Sequence, residues 1–215
     1  MSFQHRGLTQ TTAPDRFPVT VQQVKDQLKI SGDTENELIE LYIGASVKYL
    51  EDKLGLAMIT QVWQMTLDHW PGYKEKWWNG TRQMHQNALY ADVTSREIPL
   101  PIFPLQTVDS MTVDGSSVTL ATYFTTDTTQ RPGRLVLKFG QTWPTLTNEV
   151  AAGIVINFTA GYGAAASAVP ADLKLAILAM CAYMFTHRGD DCDVVKAFEK
   201  SGAKSLTSNY AKVRF

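Results

Sequence analysis

One stretch constrains the fold more than any other: Pro170 to Arg188, PADLKLAILAMCAYMFTHR. Pro170 falls at a first helical position, Asp172 lies in the first turn, and His187 and Arg188 precede Gly189, so the charges suit a helix dipole at both ends. Its apolar residues occupy more than one face. Leu173, Ile177, Met180 and Met184 make one stripe, while Leu175, Leu178, Ala182 and Phe185 lie around the other side. A helix that is apolar all round must be buried all round. About 15 residues separate Ala171 from Phe185, short of the ~20 that cross a bilayer. The stretch is therefore predicted to be a core helix that also offers a subunit interface.

The composition fits one moderate domain, or a domain with arms. The chain has 215 residues, 44% of them hydrophobic, enough to bury a sizeable core. Lys and Arg total 20 and Asp and Glu 21, so a net charge of −1 gives no general pull toward nucleic acid. The two cysteines, Cys181 and Cys192, match neither a paired metal-ligand spacing nor a secreted disulfide framework, which favours a reducing compartment. The N-terminus lacks the apolar run of a signal peptide, and no segment is long enough for a membrane span.

Along the chain the hydrophobic period changes twice. Residues 1–18 are polar, contain Pro14 and Pro18, and read as an extended arm. Thr20 caps a short helix with Val21, Val24 and Leu28 on one face. Asp33 or Thr34 with Glu37 resembles a capping box that opens a longer helix, ended by Gly55. On it Leu38, Leu41, Ala45 and Tyr49 form one side, broadened by Ile39, Ile43, Val47, Leu50 and Leu54. From Ile59 to His69 the period becomes 2, the pattern of a strand with one buried face. Residues 71–96 then read as a long loop or extended hairpin carrying Trp77, Trp78 and Tyr90. Strand patterns return at 97–100, 107–113, 117–120, 123–124, 134–139 and 150–159, with Asp114-Gly115 as a hairpin turn. TAGYGAAASAVP reads as a flexible link into the core helix.

The predicted fold class is α+β. An N-terminal helical hairpin (helices 20–30 and 34–54) packs with the core helix 170–188, and a small antiparallel β unit is inserted at 57–160 between them. The domain spans 19–188, between the arm 1–18 and a C-terminal tail 189–215, in which Asp193 to Lys200 has the makings of a short helix. Truncation after Gly189 is expected to leave the core folded.

No chemistry stands out. His69, His85 and His187 do not cluster with Asp68 or Asp190 at metal-ligand spacing. Asp190, Asp191 and Asp193 begin like a calcium loop but lack its later ligands. The glycines of TAGYG are not followed by a phosphate-loop Lys. Cys181 sits in an apolar helix, where a thiol is inert. No nucleophile elbow or paired carboxylates in an apolar setting are visible, so no catalytic residue, metal or cofactor is expected.

Six ordered stretches carry a resemblance: VTVQQVKDQLKI, GDTENELIELYIGASVKYLEDKLG, LAMITQVWQMTLD, EIPLPIFPLQTVDSMTVDG, RPGRLVL, and INFTAGYG followed by AVPADLKLAILAMCAYMF. In this order, over roughly residues 18–188, the chain resembles the head-to-tail connector (adaptor, or head-completion) proteins of tailed phages and phage-like particles. The resemblance implies a non-enzymatic virion protein of the neck, assembled in the host cytoplasm. Such a protein forms a ring, usually twelvefold, between the portal protein and downstream neck or tail-completion proteins, and DNA passes through without specific binding. It also points to the C-terminal tail, with Tyr210, Lys212, Arg214 and Phe215, for portal contact. Trp77, Trp78 and Tyr90 are the candidates for subunit or tail contact. The alternatives are a neck stopper or tail-terminator ring, which would be dominated by β structure and lack the opening helices, and a small carbohydrate-binding or hydrolase module.

Overall fold

Thr20 starts the first helix through reciprocal bonds: its hydroxyl accepts from the Gln23 amide at 3.3 Å, and the Gln23 side chain accepts from the Thr20 amide at 2.9 Å. The computed structural model describes residues 6–70, 96–147, 151–189 and 193–210. In chain order the elements are β1 (Arg6–Thr12), α1 (Val21–Leu28), α2 (Asn36–Leu54), β2 (Gln61–Leu67), β3 (Glu97–Pro99), β4 (Leu105–Val113), β5 (Ser116–Ser117), α3 (Leu120–Tyr123), β6 (Phe124–Asp127), β7 (Arg134–Leu137), β8 (Ile154–Ala160), α4 (Ala171–Thr186), α5 (Val194–Lys200) and α6 (Ala203–Leu206). This is the expected α+β composition. The chain forms two units, a helical one (Ala13–Gln61, Ile102–Pro104 and Ala160–Phe215) and a β one (Met1–Thr12, Val62–Pro101 and Leu105–Thr159).

In the helical unit α4 is the centre, packed by α1, α2, α5 and α6. Its stripe of Leu173, Ile177, Met180 and Met184 is buried, as read from the sequence. Pro170 is its N-cap rather than its first helical residue, with an extended ψ of 143°. On α2 the face that meets the core is Ile39, Ile43, Val47, Leu50 and Leu54, whereas Leu41 is 70% exposed. The set expected to broaden the apolar face is thus its centre. The expected capping box of α2 is absent: Glu35 is the N-cap and makes no side-chain capping bond. The reason is Lys25, buried on α1, whose ammonium donates to Asp33 at 2.9 Å and Asn36 at 3.2 Å. A buried cation needs an anion, and it takes the carboxylate that would have capped the helix.

Two expectations about ends and links are corrected. The segment beyond Gly189 is more than a tail: Asp193 caps α5 by accepting from the Lys196 amide at 2.7 Å, and Ala197, Phe198 and Ala203 are buried in the helical core. Within α5, Val194, Ala197 and Phe198 fall at i, i+3 and i+4, one helical stripe too short to show clearly in sequence. The glycine-rich stretch before α4 is a fixed crossing. Gly161 donates to Pro104 O at 2.8 Å, Thr60 donates to Gly163 O at 3.1 Å, and a Cβ at Gly161 would lie 2.7 Å from the backbone of Ile59 and Thr60. With φ at +136° as well, only glycine fits there.

The β unit holds two sheets, ordered β1-β2-β8-β4-β5 and β3-β7-β6. In β2 the buried face is Gln61, Trp63, Met65 and Leu67, the alternation read from the sequence. Part of the expected arm is an edge strand here: β1 pairs antiparallel with β2, Leu8 opposite Met65, and covers an edge that would otherwise present unpaired backbone groups. Asp114 and Gly115, both at positive φ, turn β4 into β5.

Phe198→Ala is expected to destabilise the protein by about 3 kcal/mol in urea denaturation, the usual cost of emptying a buried phenylalanine site. A loss below about 1 kcal/mol, close to an ordinary surface change, would return this segment to the status of a tail.

Candidate assembly surfaces

Beyond Lys174 in the first turn, the outward side of α4 carries no charge from Leu175 to Phe185. Leu175 is 47% exposed, and Leu178, Ala182 and Phe185 are half-buried, so this stripe is less covered than the opposite one. It ends at Arg188, whose guanidinium lies 4.5 Å from the Phe185 ring centroid and donates to Glu35 at 2.7 Å. His187 closes the helix differently from a solvated histidine. Its ring stacks on Tyr183 at 4.1 Å, and its Nδ1 lies 2.9 Å from the Tyr183 carbonyl oxygen. The apolar stripe therefore has polar groups only at its ends, where they pair with the protein itself.

Of the residues singled out for portal contact, Tyr210 lies within the described chain. Its hydroxyl donates to Asp172 at 3.0 Å in the first turn of α4, and its amide donates to Thr207 O at 2.9 Å. This fixes the point from which the last five residues leave. Lys212, Arg214 and Phe215, like Trp77, Trp78 and Tyr90, lie outside the described residues. At the mouth of the 71–95 segment, Trp70 stacks on Trp143 at 4.7 Å and 18°, and its indole N–H donates to Pro144 O at 2.8 Å. This pair escaped the sequence reading because its two members are far apart in the chain, each beside a proline.

A shallow groove of about 320 Å³ lies in the helical unit, with Pro14, Phe17, Val21 and Ile43 as apolar walls and Asp15, Arg16 and Glu40 beside them. Asp15 and Arg16 neutralise one another through bonds of 3.0 and 2.8 Å, and the Arg16 bond holds the Asp15 carboxyl below its ordinary range. No group of three metal-ligating side chains occurs among the described residues. Burial pushes the Cys181 thiol up to about 11, against a weak contact with the Ser46 hydroxyl at 3.7 Å, so it stays protonated. No helix among the described residues is long and apolar enough to cross a membrane. The geometry provides surfaces for contact.

Comparison with known proteins agrees with this picture. Residues 18–75, which contain α1, α2 and β2, match the model of the phage gp6-like head-tail connector proteins. No curated protein matches the chain in sequence. The fold is shared with chains of gene transfer agent (GTA) particles. One is described as the neck of an empty particle computed with C6 symmetry, at 21% identity over 97% of each chain with a TM-score of 0.73. A second is the neck of a native particle computed with C12 symmetry, at 20% identity over 97% of each chain and a TM-score of 0.71. A third is from the virion of the native particle, at 20% identity over 97% of this chain and 96% of that one, with a TM-score of 0.70.

Within the matched residues, Glu51 sets the passage from α2 to β2. Its carboxylate accepts from the Met58 amide at 2.8 Å and from the Gln61 side chain at 2.7 Å. Burial pushes its carboxyl above the ordinary range, and those two bonds only partly oppose the shift. A carboxyl raised in the folded state favours folding below its unfolded pKa of about 4.3, and that contribution is lost as pH rises through the higher folded value. Glu51→Gln is therefore expected to flatten the dependence of stability on pH from about 4 upward, measured by urea denaturation at several pH values. Identical pH slopes in the two proteins would rule this assignment out.

Proposed function

We propose that this chain is a virion structural protein, one subunit of a homo-oligomeric ring in the neck of a phage or phage-like particle, joining head to tail and continuing the DNA channel. The observation that carries the reading is the match of the whole fold to neck chains of GTA particles, over 97% of both partners. The gp6-like connector match over residues 18–75 supports it independently. The role is mechanical, without a catalytic group. Sixfold symmetry is contained in twelvefold, so the C6 and C12 descriptions of those necks are both compatible with twelve copies. The ring stands beneath the portal and above downstream neck or tail-completion proteins, and is assembled in the host cytoplasm. The alternative of a β-dominated stopper or terminator ring is disfavoured by α1 and α2, the two opening helices such a protein lacks.

A net charge of −1 suits a channel through which DNA slides, because a strongly basic lumen would hold phosphates. A head-to-tail ring needs two different surfaces on each subunit. The outward stripe of α4, around Leu175, supplies part of one. Tyr210, Lys212, Arg214 and Phe215 make the portal contact: Tyr210 anchors the C-terminal pentapeptide at Asp172, and the cations and terminal aromatic suit an interface. Trp77, Trp78 and Tyr90 face a neighbouring subunit or a tail component.

Native mass spectrometry of the protein alone and with its portal tests the reading. A ring, formed alone or only on the portal, is expected; a monomer with no affinity for portal would discard it. Two neighbouring substitutions separate folding from assembly. Ile177→Asp is expected to unfold the protein, because Ile177 is fully buried and an unpaired charge has no solvation there. Leu175→Asp is expected to leave the thermal midpoint within a few degrees while removing the ring, and normal ring formation would take the α4 stripe out of the interface. Deletion of residues 211–215 is expected to preserve the fold and weaken portal attachment at least about tenfold, as loss of hot-spot contacts does. Undiminished attachment would exclude the pentapeptide.

A further inference from the structure

We propose that Phe139 is the projecting half of a contact between copies of this chain and seats in the groove walled by Pro14, Phe17, Val21 and Ile43 of the next subunit. The inference rests on the ring reading above and names one of its interfaces.

Phe139 is 99% exposed, although a phenylalanine ring is among the larger apolar surfaces a side chain can offer. It does not hang on a loose loop. Beyond β7, Gln141 donates to Lys138 O at 3.1 Å and closes a turn in which Phe139 and Gly140 are the central residues. Gly140 has φ +78°, the value a type II turn requires at its third position. The turn is also braced from outside. Arg96 donates to Lys138 O at 2.5 Å and to Leu137 O at 3.5 Å, and Leu137 donates back to Arg96 O at 2.7 Å. Lys138 donates its amide to Tyr123 O at 2.8 Å and its ammonium to the Ala121 carbonyl. The backbone that presents this aromatic is thus preorganised, and binding has only the ring's own torsions left to order.

Charge suits the seat. Arg96 and Lys138 both spend these bonds on carbonyl oxygens, so the turn that carries Phe139 is anchored by two positive charges. Beside the Pro14–Ile43 groove, Asp15 and Arg16 cancel and Glu40 is left, giving a net negative rim on an apolar floor. Phe139 belongs to the β unit and the chosen groove to the helical unit. The two patches are different surfaces of one subunit, which is what a heterologous contact that propagates around a ring requires.

Paired cysteines test the contact in the full-length protein. With Cys192→Ser in the background and Cys181 buried, Phe139→Cys combined with Val21→Cys is expected to give a ladder of covalent multimers on mild oxidation of assembled protein. Each single variant should give none. Phe139→Ser is expected to melt like the wild type and to lower assembly at least about tenfold, read as the ring fraction by native mass spectrometry. Rings that form without cross-linking, or Phe139→Ser rings as abundant as wild type, overturn this contact and leave the ring reading standing. Cross-linking of the single variant Phe139→Cys to portal or another neck protein overturns the assignment of the occupant. A wild-type protein that never forms rings, with or without portal, overturns the ring reading itself.

Discussion

The helical unit depends on the fact that α4 offers water almost nothing. Apart from Asp172 and Lys174 in its first turn, no charged side chain occurs before Thr186. A single amphipathic partner covers one stripe of such a helix and leaves the rest exposed. The unit answers with four helices from both ends of the chain, α1 and α2 before it and α5 and α6 after it. The hairpin at the start of the chain therefore has no independent reason to fold as it does, and neither does the end. Both are shaped by the need to cover Leu173, Ile177, Met180 and Met184. Apart from β1, which precedes α1, the strands of the β unit are inserted between α2 and α4.

Polar groups inside this apolar packing are few, and their partners explain the local departures from ideal helix ends. Lys25 is the costliest. It is drawn into the core by its place on the inner face of α1, and it recruits Asp33 and Asn36 from the loop ahead of α2. The pairing lowers the Asp33 carboxyl, chiefly through the Lys25 bond, and ties α1 to the loop ahead of α2, whose N-cap, Glu35, makes no side-chain capping bond. Asp172 acts similarly at the start of α4, accepting from Tyr210 and so tying the last turn of the described chain to the central helix. In both cases a carboxylate near a helix start makes a tertiary tie, and Asp172 also accepts from the Leu173 amide of its own helix at 3.0 Å.

These departures mark the limit of what the residues disclose in order. Long, strongly periodic elements were legible: the core helix, the short helix behind Thr20, the strand from Gln61 to Leu67, and the Asp114-Gly115 turn each follow from spacing and local chemistry. Leu41 was not, because periodicity on a helix with apolar residues on two stripes does not say which stripe faces inward. Nor was the role of α5, whose single turn of apolar residues is shorter than the window over which a moment becomes visible. Gly161 was misread as slack because glycine signals both freedom and close approach, and only the neighbouring backbone distinguishes them. Candidate surfaces were legible where they were the reverse side of something buried, as with Leu175 on α4. Phe139 hid at the end of a strand pattern, where the turn that exposes it had no sequence mark beyond Gly140.

A fold kept at about one-fifth identity over nearly the whole chain implies that arrangement, rather than particular side chains, is what the likeness to the GTA neck chains preserves. In a ring, that arrangement also determines how much each contact must contribute. A heterologous pair of surfaces is used once per neighbouring pair of subunits, and the last contact to close joins ends already held near one another, at an effective concentration far above that of the free protein. Individual contacts can therefore be weak. A half-exposed Leu175 stripe and one braced phenylalanine are too small to hold two copies firmly on their own, since a stable pairwise interface buries on the order of 1,200–2,000 Å². Repeated around the closed ring proposed above, contacts of that size add up. Such a ring needs no large apolar face on the separate subunit.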